Sequence, residues 1–367
     1  MGTGFIILQL GAPFIAFGFF YLLYFERTRE HSTWKSLGAK LILFIAGACL
    51  PLAAVCAAML MAGVFDTFFF WTYAYAREYV SLISPMEGLL SLHFTASLIT
   101  KTLWLPWALA MIGLLGLLGK RFDQNARFFS LSFFIFSFLS ICPGFYFREH
   151  YFVLVLPAIA LLSGIGVETL IAAISRNIDG RISLPVTVIF VLIVALSSVF
   201  QERTALLEMP PVRLARLVYG VNPFPESVEI ARYVRERSSS DDRIAVIGSE
   251  PQIYFYSRRR AATGYLYTYP LMENHRFARR MQEQMIQQIE SASPRYLVFV
   301  NVPTSWLPRP QSERLILNWF NHYQEQYYRV VGVIDIISEE TTEFRWDGNA
   351  EGYVPKSSCW LKVFERL

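Results

Sequence analysis

The chain has 367 residues, of which 54% are hydrophobic and 17% charged, with 31 Phe, 19 Tyr and 8 Trp. That is too apolar and too aromatic for an average soluble domain. The net charge of +4 is small and no basic stripe gathers, which argues against a nucleic-acid partner. The four cysteines have no zinc-ligand spacing, and only Cys359 lies in the polar part, so no disulfide within that part is expected.

Apolar residues dominate to about Phe200 and thin out afterwards. The fold class expected is a polytopic α-helical membrane domain of about six transmembrane helices over 1–205, followed by a small extracytoplasmic α/β domain over 226–367. Residues 206–225, with Pro210-Pro211, read as a linker. No charged leader with a cleavage site is visible, and Met1 leads straight into an apolar run, so the chain is expected to begin inside a longer protein.

A helix needs about 20 apolar residues to cross a bilayer core. Six stretches qualify: Phe5 to Tyr24, Lys40 to Asp66, Lys101 to Lys120, Arg127 to Arg148, Tyr151 to Ala173 with Glu168 near its inner end, and Ile182 to Phe200. Helix is expected because the backbone must satisfy its own hydrogen bonds in lipid. Lys and Arg in the connections set the orientation. The first connection carries Arg27, Arg29, Lys35 and Lys40, the third Lys120, Arg121 and Arg127, and the fifth Arg176 and Arg181. The second carries only Arg77 and the fourth only Arg148. Odd connections are therefore expected in the cytoplasm. Even ones, and everything after Phe200, are expected outside.

The long second connection crowds Phe68, Phe69, Phe70, Trp71, Tyr73, Tyr75 and Tyr79 into one stretch. Trp and Tyr favour the headgroup level, so helices lying in the outer interface are expected here, as a plain aromatic belt or as a wall for a lipid-linked substrate. The polar part alternates helical and strand patterns. Helices are expected over Glu226 to Arg237, Asn274 to Ile289 and Ser312 to Tyr323. Strands are expected over Arg243 to Gly248, Arg295 to Asn301, Tyr328 to Ile337 and Trp360 to Glu365.

The fourth connection ends in Phe147-Arg148-Glu149-His150-Tyr151, three ionisable residues at the mouth of an apolar segment. Charge in that position is costly and points by default to function. This outward FREHYFVLVLPAIALL run, followed by one more span, resembles the late part of the GT-C superfamily of polytopic glycosyltransferases, the group of the protein mannosyltransferases and the aminoarabinose transferase. The later VIGSEPQIYFYSRRRAATGY is similar to outward tails in bacterial members. The resemblance implies transfer of a sugar from a polyprenyl-phosphate donor to a glycan or lipid acceptor at the outer face of the bacterial inner membrane. It also implies an acidic residue in a first outward loop that this chain lacks, so the match is to a C-terminal half.

The residues themselves allow the following roles. A polyprenyl phosphate needs an apolar groove and one or two cations at headgroup depth. Arg148 offers a planar fork for phosphate, and Lys101 is a second cation. Fixed cations would stabilise the charge left on the phosphate. His150 and Glu149 could bond the phosphate or acceptor, or orient Arg148. Asp66, Glu78, Glu87 and Glu149 are the outward carboxylates available as a base. Trp71, Tyr75, Tyr79 and Tyr151 would line the groove. Each has an ordinary reading too: Arg148 as a snorkelling anchor, His150 as an interface residue, Lys101 as span-flanking topology, Glu149 as the partner of a nearby cation. Ser249 is expected to cap a helix beginning at Pro251, with Arg258, Arg259 and Arg260 nearby. No cofactor is evident; His31, His93, His275 and His322 are isolated, and no ligand set for a divalent metal is visible. A rival from another class is a non-catalytic membrane scaffold that binds lipid or a partner through its outer domain.

Overall fold

The computed structural model describes residues 9–29, 33–102, 104–174 and 180–367. The expected start of the first span at Phe5 lies outside these residues, as do His31 and Arg176. The chain is mostly helical, with one small mixed sheet, and divides into two units, Met1–Arg203 and Thr204–Leu367.

Unit 1 holds α1 (Ala12–Thr28), α2 (Trp34–Met61), α3 (Phe65–Val80), α4 (Pro85–Thr102), α5 (Trp104–Leu118), α6 (Gln124–Leu139), α7 (Leu156–Ile174) and α8 (Gly180–Gln201). The starts follow local chemistry. Thr33 caps α2 by accepting from the Ser36 amide, and Asp123 caps α6 by accepting from the Ala126 amide at 2.6 Å. α7 begins at Leu156 with Pro157 in its first turn, where the missing N–H costs no hydrogen bond. Every stretch expected to cross a membrane contains a helix. By length and composition, however, only Trp34–Met61 and Leu156–Ala173 qualify on their own among the described residues. The pair Phe65–Val80 and Pro85–Lys101, bent by 91°, adds a third if it is one broken span. Such helices associate a chain with membrane.

Within unit 1, α1 lies against α6 through rings. Phe14 meets Phe133, Phe17 meets Phe129, and Tyr24 stacks on Phe128 at 3.7 Å. Position rises along one helix as it falls along the other, so the two run antiparallel. α5 and α7 run parallel: the Ser163 hydroxyl donates to the Pro106 carbonyl, Gly166 sits on Leu109, and Gly116 on Thr169. This crossing is close because it is made of glycine. A Cβ on Gly113 would stand 2.0 Å from the Leu162 carbonyl, and one on Gly166 2.1 Å from that of Leu109.

Unit 2 holds α9 (Pro211–Tyr219), α10 (Phe224–Glu236), β1 (Arg243–Ile247), α11 (Pro251–Ser257), β2 (Arg260–Ala261), α12 (Tyr269–Met272), α13 (Ala278–Ala292), β3 (Tyr296–Asn301), α14 (Pro303–Trp306), α15 (Leu315–Tyr327), β4 (Tyr328–Ile336), β5 (Thr342–Trp346) and β6 (Trp360–Arg366). The sheet order is β2-β1-β3-β6-β4-β5. The first three strands are parallel, and β6 and β4 are antiparallel to their neighbours. Ile244, Val246, Val298, Val300, Leu361 and Val363 form its buried centre. The runs IAVI and YLVFV are apolar without alternation because helices cover both faces of the parallel strands.

Two expectations need correction. The stretch 206–225 is not a bare linker: α9 occupies much of it, with Pro211 at a first-turn position that tolerates the missing N–H. Ser249 does not cap α11. Glu250 is the residue before the helix, and the Ser249 hydroxyl is engaged with that of Thr268 at 2.9 Å.

Candidate functional site

The bent pair forms an elbow, and the Phe147–Tyr151 mouth is built on it. α3 carries a π-helical middle, Phe70–Tyr75, between two α-helical turns. At the bend, Ser84 and Glu87 make a reciprocal cap. The Ser84 amide and hydroxyl donate to Glu87 at 2.8 and 2.9 Å, and the Glu87 amide donates back to Ser84 Oγ. Glu87 is thereby placed in a structural role. The connection after α6 folds onto this elbow. A Cβ on Gly88 would meet that of Phe145 at 2.5 Å, and one on Gly144 would lie 3.3 Å from Val80.

Gly144, Phe145 and Phe147 have φ of +76°, +57° and +43°. For a bulky side chain that costs on the order of 1–3 kcal/mol per residue, so neighbouring packing must hold it. Phe147 and Phe152 supply that hold, both buried in the cluster with Ile141, Val155 and Leu162. Between these two anchors Arg148, Glu149 and His150 are exposed. Glu149–Leu154 is a 3-10 turn.

The aromatic candidates come together. Trp71 meets Tyr75 at 5.3 Å, Tyr75 meets Tyr79 at 6.3 Å, and Tyr79 stacks on Tyr146 at 4.5 Å and 10°. The Tyr146 hydroxyl donates to the Tyr79 carbonyl at 3.3 Å. The Arg148 guanidinium lies over the Tyr146 ring at 5.1 Å. Tyr151 and Arg148 both lie within electrostatic reach of the Tyr79 phenol, and His150 meets Tyr151 edge-on at 4.7 Å. A ladder of four rings thus ends in one cation.

The charges differ in their partners. Glu26 binds Lys40 at 2.7 Å and Arg29 at 3.6 Å, and Arg121 binds Glu168 at 2.5 Å. Arg148 has no carboxylate partner among the described residues, and Glu149 no cation. The expected pairing of Glu149 with a neighbouring cation is not seen among the described residues. Two other candidates stand apart from the mouth. Asp66 is in the first turn of α3 and Lys101 in the last turn of α4, whereas the mouth packs at the opposite end of each helix. A rise of 1.5 Å per residue puts each on the order of 20 Å away.

Tyr146 escaped the sequence reading. It bridges the ladder to the cation, and its only local signal was the Cys142-Pro143-Gly144 turn before it. In unit 2, the basic run is structural in large part: Arg259 donates to the carbonyls of Arg235 and Ser238, closing the end of α10. His275 accepts from the Phe277 amide at 3.1 Å, and His322 bonds the Asn318 carbonyl. A concavity of about 620 Å³ on unit 2 is lined by Arg329, Lys362, Asp347 and Tyr353, and by none of the sequence candidates. Among the described residues, no three His, Cys, Asp or Glu side chains gather as a metal-binding group. No family model matches this chain, and no curated protein matches it.

Proposed function

We propose that the chain is a membrane glycosyltransferase of the GT-C kind, or the C-terminal part of one. It moves a sugar from a polyprenyl-phosphate donor to a glycan or lipid acceptor at the outer face of a bacterial cytoplasmic membrane. The observation that carries this reading is the Arg148 guanidinium, exposed, without a carboxylate partner among the described residues, and held at the end of the Trp71–Tyr75–Tyr79–Tyr146 ladder. Rings at headgroup depth suit a prenyl chain and sugar, and an unneutralised planar cation suits the phosphate. In this reading Arg148 stabilises charge on the departing phosphate, and His150 and Glu149 serve the acceptor or orient Arg148.

The layout proposed with it has six spans, with unit 2 outside. Two features support it. α5 and α7, the third and fifth apolar segments, are parallel, and α1 and α6, the first and fourth, are antiparallel, as strict alternation requires. The ion pairs of Glu26 and Glu168 use cations of the first and third connections, both read as cytoplasmic.

The test is transfer of labelled sugar from a polyprenyl phosphate in membranes carrying the full-length protein. Arg148→Ala is expected to lower transfer at least about tenfold, since a charge-assisted contact contributes roughly 1.5–3 kcal/mol. His150→Ala is expected to lower it by a smaller factor. Unchanged transfer in both variants removes the site. A second reading, a lipid-binding scaffold without catalysis, draws on one observation: Asp66 stands at the far end of α3 from the mouth, which leaves Glu78 and Glu149 as the carboxylates near it. Retained binding of the donor lipid with no transfer by any acceptor fraction favours that reading.

A further inference from the structure

α9 is turned the wrong way for a helix on the surface of a soluble domain. Arg216 is 6% exposed and is ion-paired with Glu226, which is itself buried. Arg216 also donates to the Asn222 carbonyl at 3.1 Å, and the Thr342 hydroxyl donates to the same Glu226 oxygen at 2.6 Å. This network ties α9 to α10 and β5 through Arg216. Two of its apolar residues, Leu217 and Val218, are turned away from Arg216 at 3.6 residues per turn and are 66% and 59% exposed; Val212 (58%) and Tyr219 (53%) are exposed on its flanks. A helix bathed in water would bury these and expose the arginine.

What covers this face is indicated by the chain before it. Leu206 and Leu207 are exposed as well, in a π-helical turn, Thr204–Glu208. Upstream of that lies the apolar helix Val188–Gln201. The chain from Gln201 to Pro211 reaches at most about 36 Å when fully extended, and the coiled turn shortens that. A helix this close to an apolar segment cannot travel far from the bilayer that the segment enters.

We propose that α9 lies flat in the lipid interface, with Leu217 and Val218 at the boundary of headgroups and acyl chains. Exposed Arg213 meets anionic headgroups, and the Tyr219 ring sits at their level. The Arg216–Glu226 pair is then the fastening that holds a membrane-facing helix to the α/β unit. The inference requires α8 in the bilayer and is independent of sugar transfer.

The experiment uses the full chain in nanodiscs of phosphatidylethanolamine and phosphatidylglycerol. Nitroxide labels are placed singly by L217C, V218C and R213C, in a background of Cys49→Ala, Cys56→Ala, Cys142→Ala and Cys359→Ala. The ratio of oxygen to nickel-chelate collisions is expected to be several-fold higher at 217 and 218 than at 213. Equal nickel access at all three positions puts the helix in water and overturns the proposal. Exclusion of both reagents at 217 and 218 shows a protein cover, from a partner or a second copy, and also overturns it. Hydroxyl-radical footprinting of the unmodified chain in the same discs keeps the test independent of the substitutions. Leu217 and Val218 are expected to be protected relative to exposed Val354, and equal oxidation rejects the lipid contact.

Discussion

At the scale of single residues, one carboxyl carries a pH dependence of its own. Glu250 is 2% exposed at the end of β1, where Ser305 Oγ donates to it at 3.0 Å. Burial pushes its carboxyl up to about 7 from an ordinary 4.5, against the lowering effect of the Ser305 and Ser249 bonds. The nearby Tyr254 phenol feels its charge. A raised value means that folding favours the protonated form. The stability tied to Glu250 is therefore whole below about pH 4.5 and is lost as pH rises through 7, roughly 3 kcal/mol in all. Denaturation of unit 2 within the full chain, followed from pH 5 to 8, should lose much of this slope in Glu250→Gln; an unchanged slope rejects the assignment. Glu250 carried no signal in the sequence, because burial of a carboxylate depends on strands far apart in the chain. Arg148 was legible as a cation at a membrane mouth. Its perch on Tyr146 was not, since Gly144, Phe145 and Phe147 adopt backbone angles that no local pattern announces.

Among elements, the α5–α7 crossing is the most exacting contact in unit 1. Gly113→Ala pushes a methyl into the Leu162 carbonyl, so the helices must part, at a cost of roughly 1–3 kcal/mol. Gly164→Ala on the same α7 meets nothing within 4 Å and should be neutral or slightly stabilising. Thermal unfolding in detergent of the two variants should separate them by several degrees; equal midpoints would show that the crossing tolerates a wider spacing. The periodic helix α10 and the continuous apolar runs of β1, β3 and β4 were readable because burial and pattern agree. α9 was not, because Leu217 and Val218 point outward while Arg216 points inward. That inversion defeats a reading that equates prolines and exposed charge with a linker. The edge strands β2 and β5 escaped as well, one too short and one half exposed to carry a signal.

For the whole molecule, the division between an apolar helical unit and an α/β unit followed from the drop in hydrophobicity after Phe200, close to the boundary at Arg203 and Thr204. The number of spans was less legible, since α1, α5 and α6 are each shorter than a full crossing. Alkaline phosphatase joined after Leu367 should be active, and a fluorescent reporter at that point dark, when unit 2 lies outside; the reverse pattern overturns the layout and the sugar-transfer reading together. The sheet adds a constraint in time. β3 and β4 never touch each other as partners, because β6, the last of the six strands in chain order, lies between them. Until Arg366 has left the ribosome, and crossed the membrane if that is its route, both halves of the sheet show an open edge to whatever else is present. The unit must therefore be kept from clumping or cutting until its final strand arrives, and a nonsense change just before Trp360 would be felt as a split sheet rather than a shortened tail.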